Sequence, residues 1–503
     1  MTNLTVGGNS YVDLGYSGAS KTPKSHKVIT KNFTATDGGK LIFNVDAANQ
    51  DNTSQLIVDG EASGNFTAQL NVVNGNQLTN GSTWVISQNA GELTLDKDDI
   101  SYQAGGATAY SLAFREDASG DADGVTTSTG NPGKWYLVHP LTDPDQGGQE
   151  GGGNNGNDGD NAGGSGSGSG NGSGSGSQKP PVTPEVDQML SLGTSVAQAT
   201  GMLNENEDLR LRMGDVRHGA TDGLWVRTYA RKDRAQGSFG NGFEHDTYGI
   251  HIGADHIFTS DARSSWLLGG AFHYGQSDID GAAEAGGGSA DVDQYTFKAY
   301  ATYMHDTGTF ADFVIHAGYY DTELKGLNNP RTKNYKANFS NWGYGLSAEV
   351  GHRFEFGNVN PWYIEPTAQF SWFHAEGKRF QTSTGLAIEQ SNADFLTGRL
   401  GAAIGKTFAL GTDSDPYAQY VSIAMKGGML FQFDGDQTLT AHGTDGTTVT
   451  ADAMDMKGAR AYYGVTADWK IDDTWRIYGQ VSREEGSGYT KDYEASIGLR
   501  YAF

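Results

Sequence analysis

The last thirteen residues, Lys491-Asp-Tyr-Glu-Ala-Ser-Ile-Gly-Leu-Arg-Tyr-Ala-Phe503, alternate between apolar and polar side chains. One face carries Tyr493, Ala495, Ile497, Leu499, Tyr501 and Phe503. The other face carries Asp492, Glu494, Ser496, Gly498, Arg500 and Ala502. A period of two predicts a β-strand with one apolar and one wet face. A strand of this kind that ends the chain on an aromatic residue is typical of the closing strand of an outer-membrane β-barrel. An ordinary edge strand is the alternative.

The region before this stretch repeats the same alternation in long segments, with acidic or glycine-rich connections between them. Trp and Tyr lie near the ends of these segments, as in the aromatic girdles of membrane barrels. The pattern predicts about twelve strands of roughly 9–15 residues, the length that a tilted membrane strand requires. The predicted strands are 224–231, 248–258, 266–274, 294–305, 310–320, 342–356, 362–373, 395–408, 420–433, 461–471, 475–481 and the terminal strand.

Composition excludes several classes of protein. The 503 residues are enough for two or three domains, and the mean hydropathy is low at -0.53. No apolar run is long enough for a transmembrane helix, but a barrel needs none because half of each strand faces water. The absence of cysteine excludes disulfides, thiolate metal sites and cysteine nucleophiles. A net charge of -25 argues against nucleic acid as a partner.

Residues 1–140 contain short β-rich segments separated by Gly, Asn and Asp, without helical segments between them. A sandwich, a barrel and a β-solenoid are all compatible with this pattern. The amino terminus lacks the basic start, apolar core and cleavage motif of a signal peptide. We therefore expect that the chain is the carboxy-terminal part of a longer protein, or that it is read from a late start.

Residues 141–184 form a Gly-, Ser-, Asn- and Asp-rich segment that cannot bury apolar surface and is predicted to be a flexible linker. A helix is predicted over 185–219. Pro184 and Glu185 suit its start, and apolar residues recur along it despite Gly193 and Gly201.

With these features, the chain resembles the autotransporters of the type V secretion route, in the branch of pertactin and the AIDA-type adhesins. Four motifs and the terminal Tyr501-Ala-Phe503 carry the resemblance over residues 185–503. The motifs are Arg212-Met-Gly-Asp-Val-Arg217, Leu224-Trp-Val-Arg-Thr-Tyr-Ala230, Tyr363-Ile-Glu-Pro-Thr-Ala-Gln369 and Gly398-Arg-Leu-Gly401. The resemblance extends to Ser54–Gly64, which is similar to the end of a passenger β-helix, and to Trp135–Leu137, which is similar to the segment that closes one.

The resemblance implies an all-β chain in four parts. Residues 1–140 would be the carboxy-terminal, autochaperone-like end of the passenger, and residues 141–184 its linker. Residues 185–219 would be a helix in the lumen of a twelve-stranded antiparallel barrel formed by residues 220–503. A barrel of this size has room inside for one helix.

The resemblance also implies a function. The barrel would secrete its own passenger, which family analogy makes adhesin-like, and anchor it at the surface of a Gram-negative cell. The implied partners are outer-membrane lipid, the barrel-assembly machinery, periplasmic chaperones and the passenger itself, and the chain would be a monomer. A porin-like diffusion channel with an extracellular appendage, and a soluble β-rich adhesin, are the alternatives.

Strand parity predicts charged residues on the lumen face, namely Arg227, Glu349, Glu365, Arg399 and Lys406. They would steer the passenger and then hold the helix through Asp208, Arg212, Asp215 and Arg217, where Gly214 allows close packing. A polar pore lining without that role is the equal alternative. Tyr501 and Phe503 would be the signal read by the barrel-assembly machinery.

No catalytic constellation, metal-ligand spacing or cofactor motif is found in the sequence, so we predict neither an enzyme nor a bound cofactor or metal. Some autotransporters release their passenger by cyclisation of an Asn in the lumen helix, where two Asn residues precede the Arg-x-Gly-Asp-x-Arg match. Glu207-Asp208 occupy those positions here. This departure predicts that the chain does not cleave itself in that way.

Overall fold

The computed structural model describes two compact units, which consist of residues 1–103 with 108–182, and residues 104–107 with 183–503. The described residues are 1–8, 10–15, 26–78, 82–102, 106–116, 127–138, 182–204, 222–236, 242–259, 263–282, 287–326, 334–357, 360–412, 414–452, 456–486 and 488–503. The predicted linker at 141–184 therefore lies almost wholly outside them.

The first unit is a β-solenoid. Its strands are β1 Asn3–Gly7, β2 Tyr11–Asp13, β3 Lys27–Thr30, β4 Asn32–Asp46, β5 Gln55–Val73, β6 Trp84–Ala90, β7 Leu93–Tyr102, β8 Ser111–Arg115 and β9 Gly133–Val138. Strands β1 to β7 pair in parallel, and stacked residues lie about 29 positions apart, as in Asn3 with Asn32 and Phe33 with Ala62. Of the three all-β architectures that the sequence allows, the structure selects the solenoid.

Stacked apolar side chains fill the solenoid, among them Phe33, Phe43, Phe66 and Leu95. At one corner, buried Asp46 accepts hydrogen bonds from the Asn74 amide at 2.9 Å, the Asn52 amide at 3.1 Å and the Ala48 N–H at 3.1 Å. Asn74 is left-handed at φ 55°, a conformation that Asn tolerates better than most residues. Hydrogen bonds within the protein therefore satisfy the Asp46 carboxylate at this corner in place of water.

The antiparallel strands β8 and β9 close the solenoid beside β6. Trp135 on β9 is fully buried, and its ring packs edge-on against Phe66 at 5.3 Å. Its indole N–H donates to the Gln88 side chain at 3.2 Å. The segment Trp135–Leu137 thus ends the parallel stack with a large apolar residue whose polar atom is satisfied.

The second unit begins with the helix α1, Pro184–Asn204. Thr183 caps it, because its hydroxyl accepts the Val186 N–H at 3.4 Å and Pro184 occupies the first helical position. The predicted helix at 185–219 is described only as far as residue 204. No helix among the described residues has the length and apolarity that a membrane crossing demands.

Within the described part of the chain, seventeen strands follow the helix. They are β10 Gly223–Gln236, β11 Gly242–Thr259, β12 Ser264–Ala282, β13 Gly288–His305, β14 Thr309–Gly326, β15 Lys336–His352, β16 Phe354–Phe356, β17 Trp362–Ala375, β18 Arg379–Gln381, β19 Ala387–Gln390, β20 Ala393–Ala409, β21 Tyr420–Asp434, β22 Thr438–His442, β23 Thr448–Asp452, β24 Gly458–Lys470, β25 Trp475–Gly486 and β26 Tyr489–Ala502.

Twelve of these strands form a closed antiparallel barrel in the order β10-β11-β12-β13-β14-β15-β17-β20-β21-β24-β25-β26. The first strand pairs with the last from Gly223 with Ala502 onward, which closes the ring. We call this end of the barrel the closing end and the opposite end the loop end. The twelve-stranded barrel that the resemblance implies, in agreement with the alternation, is confirmed, with the helix segment 184–201 inside it.

The barrel wall is apolar outside and polar inside. A continuous row of aromatic side chains crosses four neighbouring strands toward the loop end, through Tyr274, Tyr295, Tyr319 and Trp342. Nearer the closing end lie Trp362, Trp469, Trp475 and Tyr501, all substantially exposed. Two aromatic levels around an exposed apolar band are the surface of a barrel in a bilayer.

The sequence prediction needs three corrections in the strands. A β-bulge beside Lys232 shifts the terminal strand, so Asp492 lies outside with Arg234 at 2.7 Å, whereas Lys491 turns into the lumen. The predicted strand 342–356 divides at Arg353 into β15 and β16. Most strands are also longer than predicted, because they continue past the lipid-facing band with charged outer residues such as Glu244 and Asp246.

A four-stranded sheet in the order β18-β19-β22-β23 was not predicted. It is built from the two long connections at the loop end, residues 376–392 and 435–457. The connections at the closing end are mostly short, as at 306–308 and 471–474. We call the four-stranded sheet the loop sheet.

Candidate functional site

The lumen of the barrel is the candidate site, because the inward side chains of the twelve strands bring buried charges together there. Three of the residues predicted from parity, Glu349, Glu365 and Arg399, line one cavity. Lys426 and Tyr462 line it as well. Strands β15, β17, β20, β21 and β24 supply these side chains side by side, so the cavity presents both charge signs on one wall.

Contacts with neighbouring side chains hold the charged groups of this cavity in place. The Arg353 guanidinium donates from Nε to Glu365 at 2.8 Å and lies 4.0 Å from the ring centre of Tyr363. The guanidinium of Arg399 lies 3.7 Å from the ring centre of Tyr462. A guanidinium over an aromatic face is stabilised by the ring quadrupole and loses little freedom. The cavity wall is therefore pre-organised.

The fourth predicted residue, Arg227, lies in a different part of the lumen, on β10. Its guanidinium is 3.0 Å from Nε2 of His251, whose ring lies tilted by 31° against the ring of His273, with centres 4.2 Å apart. The Tyr229 hydroxyl lies 3.0 Å from His273 Nε2. Both histidine side chains are buried.

A second group of charges, which sequence reasoning did not single out, lies where the barrel closes. Arg500 on β26 contacts Asp255 on β11, with Nη1 to Oδ2 at 2.8 Å. Asp255 also accepts from the Tyr300 hydroxyl at 3.1 Å, and that hydroxyl accepts the Trp225 indole N–H at 2.9 Å. Parity places Arg500 on the wet face, but the partner two strands away could not be read from one strand.

A third group lies nearer the loop end of the same strands. Asp233 is fully buried and accepts from Arg231 at 2.6 Å and from the Tyr489 hydroxyl at 2.5 Å. Lys491 donates to Glu484 and to Glu494, both at 3.0 Å. The bulge in β26 brings Lys491 inside, which explains why simple alternation missed this pair.

Loops at the loop end hold the helix α1. Glu185 accepts the Thr382 hydroxyl at 2.9 Å and also that of Thr384. The Gln390 amide donates to the Gly193 carbonyl at 3.1 Å, and the Gln198 amide donates to the Gly435 carbonyl at 2.9 Å. None of these residues was predicted, because the loops have no motif that marks them.

Arg212, Gly214, Asp215 and Arg217, like Asp208, lie outside the described residues, so their predicted role at the lumen wall stays a prediction. Lys406 was wrongly placed in the lumen. It lies outside, with its ammonium 5.1 Å from the Trp362 ring and 5.2 Å from the Phe408 ring. Arg399 and Lys406 are seven residues apart on one strand and must therefore face opposite sides.

Tyr501 and Phe503 lie on the outer surface at the closing end. Tyr501 packs on Trp475 at 4.9 Å, and Phe503 is 68% exposed. The Phe503 backbone N–H donates to the Asp222 carbonyl at 3.1 Å, which fixes the carboxy terminus to the start of the first barrel strand. An exposed terminal aromatic ring can be read from outside, as the predicted assembly signal requires.

The arrangement can bind and orient a polypeptide, since it offers opposite charges and aromatic faces inside a closed wall. Among the residues that the structure describes, no three potential metal-ligating side chains come together. The charged pairs are each held by a further hydrogen bond or ring contact, which is the condition for burying them at modest cost.

Comparison with known proteins gives the following likenesses. The family model described as the autotransporter beta-domain matches residues 224–482. A pertactin autotransporter of Bordetella parapertussis is 25% identical over 337 residues, which cover 65% of this chain and 34% of that protein. The BrkA autotransporter of Bordetella pertussis is 26% identical over 307 residues, which cover 60% of this chain and 28% of that protein. The chain thus spans about a third of the length of the curated relatives it matches.

Among solved structures, the beta domain of the Bordetella autotransporter BrkA has 23% identity and a TM-score of 0.44, covering 56% of this chain and all of that one. The transport unit of AIDA-I from Escherichia coli has 14% identity and a TM-score of 0.47, covering 62% of this chain and 99% of that one.

Proposed function

Because the chain belongs to the autotransporter family, we propose that residues 185–503 translocate the passenger that precedes them and anchor it at the cell surface. Residues 1–140 are, on this proposal, the carboxy-terminal end of that passenger, and residues 141–184 are the tether. The observation that carries the proposal is a closed twelve-stranded barrel with a helix from its own chain inside. When transport of the passenger ends, the last segment of the transported chain remains in the pore as this helix.

The barrel lies in the outer membrane. Its outer face carries exposed apolar residues such as Ile252, Phe297 and Ile315 between the two aromatic levels. The two long connections at the loop end and the mostly short ones at the closing end match the extracellular loops and periplasmic turns of such barrels. Lys406, on the aromatic level nearer the closing end, places its ammonium 5.1 Å from the Trp362 ring, and long lysine side chains at membrane interfaces keep the charged end in water.

The charged cavity has a role in the proposed passage. Glu349, Glu365 and Arg399 face the path of the moving chain. After transport they hold the predicted continuation of the helix, through residue 219, at Asp208, Arg212, Asp215 and Arg217. Gly214 leaves room for the wall. The cavity supports this because its own charges are already oriented by Arg353 and Tyr462.

The remaining parts of the proposal concern partners and chemistry. The chain is a monomer, and periplasmic chaperones and the barrel-assembly machinery deliver and insert it, with Tyr501 and Phe503 as the signal. The translocator is not an enzyme and carries no cofactor. The passenger is adhesin-like, in keeping with the parallel solenoid at its end.

Protease treatment of intact cells that export the full chain tests the proposal. Residues 1–138 are expected to be digested from outside, whereas residues 223–503 remain as a fragment that migrates faster before boiling than after. A diffusion channel with an appendage would give the same fragment but a large, steady conductance in planar bilayers. Protection of residues 1–138 in intact cells would contradict the proposal.

A further inference from the structure

The described part of α1 is held by the loop sheet as well as by the barrel wall. Side-chain hydrogen bonds join the helix to the two connections that build the loop sheet at Glu185, Gly193 and Gln198. At 1.5 Å per residue, these points span about 20 Å of the helix axis. The contacts are therefore distributed along the helix and oppose both tilting and sliding.

The loop sheet also packs an apolar face inward. Leu386, Ile388, Leu439 and Ala441 are fully buried. Its opposite face carries polar residues such as the exposed pair Thr440 and Thr450, whose hydroxyls lie 3.0 Å apart. A sheet with one apolar face has to bury that face against another element.

The helix supplies part of that cover at Gly193. A methyl group placed on Gly193 would lie 2.4 Å from the Leu439 side chain, so the leucine occupies the space that any larger residue would need. Glycine in a helix interior costs about 1 kcal/mol relative to alanine. Its presence here is explained by the close approach of the loop sheet.

Glu185 connects the start of the helix to the same loops. Its carboxylate is buried and accepts the Thr382 hydroxyl at 2.9 Å and the Thr384 hydroxyl. A buried carboxylate without donors is costly, so these two threonines make the inserted position of the helix favourable.

We propose that the loop sheet is the extracellular seal of the pore, which closes on the helix once the helix has arrived and holds it there. The sheet needs the helix to cover Leu439, and the helix needs the sheet to satisfy Glu185 and Gln198. Neither is complete without the other, so the seal forms at the end of transport and does not obstruct it. This inference rests on the proposed translocator function.

The test is the conductance of the full chain in planar lipid bilayers. Gly193→Leu should push the loop sheet away from α1 and raise the mean conductance severalfold, because the new leucine and Leu439 cannot both fit. Leu439→Ala in the same chain should restore low conductance by making room. The double variant Thr382→Val with Thr384→Val should also open the pore, whereas the matched control Thr440→Val with Thr450→Val should not.

Two further measurements separate the possible failures. Heat-dependent migration on gels reports whether each variant folds. If Gly193→Leu does not fold, the conductance of the Thr382→Val, Thr384→Val variant decides the test. Labelling of residues 1–138 on intact cells reports display. Normal display with wild-type conductance in both opening variants would overturn the seal and leave the translocator intact. Loss of display in the unmodified chain would instead overturn the proposed function.

Discussion

Arg500, on the last strand of the barrel, forms a two-pronged salt bridge with Asp255, on the second strand. The two contacts measure 2.8 Å and 2.5 Å, and both side chains are buried. The bridge crosses the first strand at Gly223, where a side-chain methyl group would lie 2.8 Å from the Arg500 guanidinium. The closure of the barrel is thus reinforced by a contact between strands that do not pair.

Breaking this bridge should weaken the barrel. Arg500→Met leaves Asp255 buried without its charged partner and is expected to cost about 3–5 kcal/mol of stability. The measurement is the temperature at which the fast-migrating folded form converts to the unfolded one on gels. Arg483→Met, which removes a half-exposed pair with Glu485, is the control and should cost less than about 1 kcal/mol. An equal decrease in the conversion temperature for the two variants would contradict the role of the Arg500–Asp255 bridge in stabilising the barrel.

Removal of Phe503 should impair assembly in the outer membrane. The ring is exposed at the closing end beside Tyr501, where a recognition partner can reach it, and it contributes little to the barrel interior. The amount of heat-modifiable barrel in outer-membrane fractions measures the effect. Phe356→Ala, at another exposed aromatic residue, is the control. Wild-type levels without Phe503 would exclude a signal at this residue.

The passenger should remain covalently attached unless another protease acts. Glu207 and Asp208 occupy the positions where related chains carry the cyclising Asn, and Asn204 is followed by a bulky Glu205. The purified chain should therefore run as one band near 53.6 kDa. A fragment that arises spontaneously and begins within residues 204–208, and that Asn206→Ala abolishes, would contradict this prediction.

Asp46 should make the stability of the solenoid depend on pH. Burial alone would raise its pKa, but the hydrogen bonds from Asn74, Asn52 and nearby backbone N–H groups together hold the pKa below the usual 3.8. A lowered folded-state pKa stabilises the fold above pH 3.8, and this contribution is lost as the pH falls through the folded pKa.

Proteolysis of residues 1–138 in increasing urea measures this effect. Asp46→Asn should lower the urea midpoint at pH 7, and the difference from the unmodified chain should shrink toward pH 3. The exposed Asp59→Asn is the control and should change the midpoint little at either pH. A difference that is the same at both pH values would contradict the role of the Asp46 charge.

Strand periodicity was sufficient to predict the barrel, since one face of every strand meets lipid and the other water. Of the residues that it assigned to the inward face, Glu349, Glu365 and Arg399 line one cavity, and Arg227 is buried beside His251. It failed where the two-residue period is interrupted, as at the bulge that moves Asp492 outside, or where parity was miscounted, as for Lys406.

Features that depend on contacts between distant segments could not be predicted. Stacked positions of the solenoid share apolarity but neither residue type nor size, as with Phe33 over Ala62, so no repeat is visible in the sequence. The loop sheet combines two connections that are distant in sequence, and Ala387 pairs with His442, 55 positions later. The threonines that hold Glu185 become recognisable only once the helix is in place.

Accessibility of single cysteines on intact cells tests the central claim most directly, because the chain has no cysteine of its own. Asp51→Cys places a thiol on the exposed surface of the solenoid, and Asp473→Cys places one in a turn at the closing end. A membrane-impermeant maleimide should label position 51 on intact cells, and position 473 only after the outer membrane is opened. Labelling of position 473 on intact cells, or protection of position 51, would contradict a translocator that displays its own passenger.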